Sequence, residues 1–246
     1  MAKSAIELPI PLVWIWKSYD QLDDASFERF QQRFSDSEKQ RINNISSKTR
    51  WREYIAGHYL LRKMLDTLFS DELECDTIEH QRHQAPRFRD RSVNLDFNIS
   101  HSRGLIICLV SQQGDVGIDI EMPKKTVNID AIAKAYFSGK EASLIHSLSA
   151  KEKKIEFYRL WTLKESLMKA TGEGITKVGM QLEFTQWGQQ APHSKWYSYS
   201  FVYAAHYGAI SLPYFLGDSV NIHVYESDMV LDGIINMPLV EYTSSL

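Results

Sequence analysis

Leu160, Leu163 and Leu167 recur at helical spacing within a helical stretch that runs from Glu152 to Thr171, and Trp161, Glu165 and Lys169 recur every four residues beside them. One stripe of such a helix must be buried, so the chain has to supply a layer for it to lie on. The neighbouring edge carries an acid and a base. A candidate layer lies upstream in Gly117-Ile118-Asp119-Ile120-Glu121, which alternates apolar and acidic residues. In an extended segment Ile118 and Ile120 face the core while Asp119 and Glu121 project together on the other side. Two carboxylates in one small space repel each other unless water screens them or a cation neutralises them, and oxygen-preferring Mg²⁺ is the common solution in phosphate chemistry. Each pattern alone has a plainer account. The strand could be half-buried with a wet acidic face, and Glu165 with Lys169 could form a surface ion pair contributing about 0.2–0.5 kcal/mol.

The chain has 246 residues, 43% of them hydrophobic and 24% charged, enough to bury a sizeable core without disulfides or structural metal. Two closely packed halves are expected, 1–113 and 114–246, meeting near Gly114. A formal charge of -3 gives no overall basic footprint for nucleic acid, so a phosphate ligand has to be met by a local group of Lys and Arg. Cys75 and Cys108 stand in no ligand spacing, which favours reduced thiols over a disulfide framework or a zinc site. Residues 1–15 combine one lysine, Glu7 and two prolines with an apolar stretch. That fits neither a signal peptide nor a membrane span, and a cytoplasmic protein is expected.

Periodicity predicts a strand over 9–16, helices within 26–69 (a stripe of Tyr54, His58, Leu61, Leu65 and Leu68), and strands over 93–99 and 105–110. The turn Ser100-His101-Ser102-Arg103-Gly104 joins those two strands. Helices follow over 129–136 and 139–148, and aromatic and β-branched runs predict strands over 196–203, 210–215 and 220–225. Lys39, Arg41, Lys48, Arg50, Arg52, Arg62 and Lys63 form either a solvated helix face or part of a phosphate cleft. Asn98-Ile99-Ser100-His101-Ser102 offers hydroxyls, an imidazole and backbone N–H groups suited to a phosphate, or equally to a polar hairpin turn. No Gly-x-Ser-x-Gly elbow or acidic partner supports a hydrolase triad.

Taken in order, Phe97-Asn98-Ile99-Ser100-His101-Ser102, then Gly117-Ile118-Asp119-Ile120-Glu121, then Trp161-Thr162-Leu163-Lys164-Glu165 with Lys169 and Gly172 strongly resemble the 4′-phosphopantetheinyl transferase family. The match is to its longer type, similar to the surfactin-synthetase activating enzyme. It covers residues 97–172, with a weaker match over 35–88, and no motif aligns beyond Phe184.

The resemblance implies an α/β (α+β) fold of two similar subdomains about a pseudo-twofold axis, with the active site in the cleft between them. It implies transfer of the 4′-phosphopantetheine arm of coenzyme A to a serine of an apo acyl or peptidyl carrier protein, with Mg²⁺ as cofactor and release of adenosine 3′,5′-bisphosphate. Asp119, Glu121 and Glu165 match the metal-binding acids, Glu165 also the serine's base, and Lys169 the lysine near the pyrophosphate. Lys164, Ser100, His101 and Arg41 are the further coenzyme-binding candidates. In place of the family's Gly-Lys-Pro this chain has Gln84-Ala85-Pro86, with Arg82 and Arg87 as possible replacements for the lysine. A monomer with no nucleic-acid or membrane partner is expected. A Mg²⁺-dependent phosphohydrolase and a non-catalytic module that binds carrier protein or coenzyme A are the competing readings.

Overall fold

A computed structural model describes residues 11–69, 78–79, 87–88, 95–172, 180, 182–186, 196–226, 229 and 231–244. The fold is mixed α/β, in two compact units: 1–114 with 221–235, and 115–220 with 236–246.

The first unit holds β1 (Leu12–Lys17), α1 (Asp24–Phe30), α2 (Asp36–Asn43), α3 (Lys48–Phe69), the short pair β2 (Ile78–Glu79) and β3 (Arg87–Phe88), β4 (Asp96–Ser102) and β5 (Leu105–Ser111). β10 (Ser219–Tyr225) and β11 (Leu231–Pro238) return to it late in the sequence, giving a sheet of order β11-β10-β1-β5-β4. β1 is antiparallel to β5, with Leu12 opposite Val110, and parallel to β10, with Val13 opposite Ile222. Trp16, Ile106 and Cys108 from the sheet form one core with Ile55, Leu61 and Met64 of α3. Gly57 lets that helix come close, since a Cβ there would stand 2.9 Å from Ile99 Cγ2.

The α3 stripe predicted from the sequence faces this core through buried Leu61 and Leu65 and buried His58, while Tyr54 is half-buried; the side chain of Leu68 lies outside the described residues. The basic residues divide. Arg52 and Lys48 pair with Asp24, whereas Arg62 is buried. Its Nη2 donates to Glu38 Oε2 at 2.6 Å, its guanidinium lies over the Phe34 ring, and His58 Nδ1 stands 2.9 Å from Glu38 Oε1. Glu38 also caps α2 through the Ser35 backbone N–H. Burial pushes its carboxyl up, but His58 and Arg62 outweigh that and hold it at about 2. Burial lowers the His58 pKa, against the pull of the Glu38 hydrogen bond and charge.

The second unit holds β6 (Gly117–Glu121), α4 (Ile129–Tyr136), α5 (Gly139–Ser147), α6 (Ala150–Thr171), β7 (Phe184–Gln186), β8 (Tyr197–Tyr203), β9 (His206–Leu212) and β12 (Val240–Ser244). Its sheet has the order β6-β9-β8-β12-β7, and α6 lies across β6, β9 and β8. Ser138 with Glu141 and Ser149 with Glu152 form capping boxes that start α5 and α6, and Gly172 at φ 73 ends α6. The leucine stripe is buried as its spacing predicts.

Two departures from the sequence reading have local causes. The β4–β5 turn is only Arg103-Gly104, at φ 41 and 78, so Ser100 and His101 lie on a strand and not in a bend. Ala204 and Ala205, at φ 45 and 64, make the β8–β9 turn without the Gly or Asn that would signal it, and β9 starts earlier than the expected strand over 210–215.

Glu38→Ala would leave Arg62 buried without its carboxylate and α2 without its reciprocal cap. It should cost about 3–5 kcal/mol in urea unfolding at neutral pH. Because the folded-state pKa of Glu38 is depressed, its contribution is full above the ordinary glutamate range and is lost as pH falls toward about 2. The variant should therefore flatten the acid limb of the stability curve.

Candidate active site

Gly117, Asp119 and Glu121 share one face of β6, and α6 covers that face. A Cβ on Gly117 would stand 1.9 Å from Ser166 O and 2.7 Å from Ala170 N, so helix and strand backbones meet here at a distance only glycine allows. Ser166 Oγ adds a second tie, 2.8 Å from Ser211 Oγ, which lies 2.9 Å from Ser198 Oγ. Ser211 stands opposite Gly117 in the β6–β9 register, so the hydroxyl chain ties the helix to the sheet where glycine admits it.

This close seating takes Asp119 out of water. It is 2% exposed, which removes the wet acidic face as an account of the strand, while Glu121 is half-buried. Lys169 Nζ donates to Asp119 Oδ1 at 2.7 Å and to Ile118 O at 3.1 Å. The ammonium that the sequence pairs with Glu165 thus engages Asp119. Glu165, four residues earlier, is pushed up to about 7, chiefly by burial and then by the negative charge of Asp119, against the pull of Lys169; Glu121 raises it further and a hydrogen bond from Trp161 lowers it.

A carboxyl near neutrality beside two further acids is a place where a proton or a cation is held easily. The donor set, three carboxylates, suits an oxygen-preferring divalent ion. Among the described residues no three His, Cys, Asp or Glu side chains are already gathered tightly enough to grip one. With the ammonium of Lys169 on Asp119, the arrangement is that of a charge-compensated set of acids, not a preformed cage.

Lys164, expected among the coenzyme-binding residues, has a different place. It is fully buried, with Nζ 2.8 Å from Glu141 Oε2, a hydrogen bond to Leu182 O, and the rings of Phe137 and Phe184 about it. An ammonium enclosed in this way joins α6 to α5 and cannot also reach a ligand. Glu141 was not singled out from the sequence, although its Ser-x-x-Glu capping pattern is visible there.

In the first unit Ser100 and His101 are consecutive on β4, so their side chains leave opposite faces. Ser100 is buried; His101 is exposed and its Nδ1 stands 3.4 Å from Glu53 Oε1 on α3. Arg41 is exposed in the last turn of α2. The Gln84-Ala85-Pro86 segment and Arg82 lie outside the described residues, as does the side chain of Arg87.

The sequence model of the 4′-phosphopantetheinyl transferase superfamily matches residues 115–222, a span that contains Asp119, Glu121, Glu165 and Lys169 and excludes Arg41, Ser100 and His101. The 4′-phosphopantetheinyl transferase HetI of Nostoc sp. is 30% identical over 168 residues, which are 68% of this chain and 71% of that protein. The chain belongs to this superfamily. The 4′-phosphopantetheinyl transferase Sfp of Bacillus subtilis is 30% identical over 152 residues, 61% of this chain and 65% of its own length. AcpT of Salmonella typhimurium, also named a 4′-phosphopantetheinyl transferase, is 31% identical over 125 residues, 51% and 61% of the two chains. The superfamily match thus falls on the unit that carries the acids and Lys169.

In a 4′-phosphopantetheinyl transferase fold with no metal added, the raised pKa of Glu165 has a calculable consequence. Between the ordinary value of 4.5 and about 7, the folded protein keeps a proton that the unfolded chain has released. Stability therefore falls as pH rises through that window, and the full cost is present above it. Glu165→Gln should raise the stability of the chelator-treated protein by about 3 kcal/mol near pH 8 and by less than about 1 kcal/mol near pH 5. Urea unfolding at the two pH values measures the difference.

Proposed function

We propose that this chain transfers the 4′-phosphopantetheine arm of coenzyme A to a serine of an apo acyl or peptidyl carrier protein and releases adenosine 3′,5′-bisphosphate. Family membership supports the reaction class. The observation that carries the mechanism is the pairing of Lys169 with Asp119 beside a glutamate titrating near neutrality. In this reading the serine oxygen attacks the pyrophosphate phosphorus that bears the pantetheine, and the bond from that phosphorus to the bridging oxygen breaks.

Glu165 takes the serine proton; before metal binds, its carboxyl is pushed up to about 7, in the range suited to a base at physiological pH. Lys169 donates hydrogen bonds to the pyrophosphate and offsets charge on the departing bisphosphate. Asp119, Glu121 and Glu165 would hold Mg²⁺, which when bound polarises the pyrophosphate and neutralises its charge. Binding of the ion lowers the Glu165 pKa, so its two roles compete. His101, held near Glu53, and Arg41 are the coenzyme-phosphate contacts of this reading, while Ser100, buried on the opposite face of β4, is left out of it.

Lys164 drops out of the coenzyme site in this proposal. No helix among the described residues is long and apolar enough to cross a membrane, and the protein is proposed to act in the cytoplasm as a monomer.

Incubation with coenzyme A, Mg²⁺ and a panel of apo carrier proteins, followed by intact-mass spectrometry, should add one phosphopantetheine unit to at least one carrier. Phosphate release from nucleotides with no carrier modified would favour a phosphohydrolase, and binding without product would favour a non-catalytic module. Glu165→Gln should cut transfer by about 10²-fold or more while the protein stays folded. Unchanged transfer would remove both roles given to Glu165.

A further inference from the structure

Beyond Glu121 the chain runs through Met122-Pro123 to Lys124, whose backbone N–H donates to the hydroxyl of Tyr158 on α6 at 2.9 Å. Tyr158 is buried, and its ring stacks on Tyr207 with centroids 6.0 Å apart and planes at 19°. Tyr207 is the β9 residue directly opposite Glu121. One side chain therefore holds both the residue across from Glu121 and the amide three positions after it. Tyr158 also lies two helical turns before Glu165, on the same side of α6.

The contacts of α6 and β6 thus occur at two ends. At one end Gly117 admits the helix backbone around Ser166 and Ala170. At the other the Tyr158 hydroxyl tethers the strand's continuation, and Asp119 and Glu121 lie between the two. The Gly117 contact fixes how near the strand starts to the helix; at the far end Glu121 pairs with Tyr207 in the sheet, and the Tyr158 hydroxyl ties the strand's continuation to the helix. Because Glu121 is half-buried and at the last position of β6, its placement depends on what holds that far end.

We infer that Tyr158 is a positioning residue, whose hydroxyl sets the distance of Glu121 from Glu165 and so the affinity of the acids for a divalent cation. The inference rests on the metal-binding reading of those acids. An outer residue that orients a ligand without touching the ion usually changes metal affinity by about 10–100-fold when removed. Tyr158→Phe keeps the ring stack on Tyr207 and deletes only the acceptor for the Lys124 amide. Lys124→Pro deletes the donor and leaves Tyr158 intact.

The test is direct binding of Mn²⁺ to the full chain, followed by the electron paramagnetic resonance signal of the free ion, for wild type, Asp119→Asn, Tyr158→Phe, Lys124→Pro and the double variant. Wild type should bind one ion that Asp119→Asn loses. Tyr158→Phe should bind it about 10-fold more weakly, with its thermal midpoint little changed. Lys124→Pro should match it, and the double variant should be no weaker than either single one. In transfer assays the half-saturating metal concentration should rise by a similar factor while kcat at saturating metal stays near wild type, a split that general loosening of the fold would not give.

Binding by Tyr158→Phe within twofold of wild type overturns the inference while leaving the transferase reading intact. If Tyr158→Phe does not fold, wild-type affinity in Lys124→Pro overturns it equally. A wild-type protein with no ion that Asp119→Asn removes sinks both the inference and the metal role of the acids.

Discussion

The second unit depends on how closely α6 can approach β6, and the missing side chain of Gly117 sets that distance. A methyl group there would have to occupy the space of Ser166 O, so any other residue would lift the helix off the strand. Once the helix is seated, the rest follows from geometry. The strand's alternation turns Asp119 and Glu121 toward the helix, the helical repeat brings Glu165 and Lys169 to meet them, and burial turns ordinary carboxylates into a strongly interacting set.

Two lysines five positions apart on that helix show how placement divides labour. Lys164 is enclosed by Glu141, Leu182 O and two aromatic rings, and it holds helices together. Lys169 is part-exposed at the edge of the same helix, on an acid that a cation could claim. The first is enclosed by protein groups on all sides; the second keeps part of its side chain open to solvent. A similar buried network in the first unit, Glu38 with Arg62 and His58, joins α2 to α3, so in both units a buried ion pair ties one helix to another.

What was legible in the sequence was local. The Glu165–Lys169 stripe and the alternation of Asp119 and Glu121 depend only on the repeat of one element, and both could be read from spacing. Lys164 could not be assigned that way, because what decides its role is Glu141 on another helix. The five-residue turn expected at Ser100 shortens to two for a related reason: an Arg-Gly pair is enough to turn the chain, and composition cannot tell two turn residues from five. Strands β7, β11 and β12 escaped notice because pairing creates them. β11 contains Gly233, ends at Pro238 and leaves most of its residues exposed, so nothing in its pattern marks a strand until β10 lies beside it.

The parallel pairing of β1 with β10 has a consequence for how the molecule is made. As the N-terminal segment emerges from the ribosome, β1 can find β5 early, but its other edge has to wait until nearly the whole second unit has been synthesised. During that interval the tryptophan-rich strand is an open edge, the kind of surface that recruits stray strands and favours aggregation. A fragment cut after the first unit's initial stretch would carry that exposed edge permanently. The return of 221–235 therefore acts as a late-arriving closure, which makes completion of the first unit contingent on synthesis of the second.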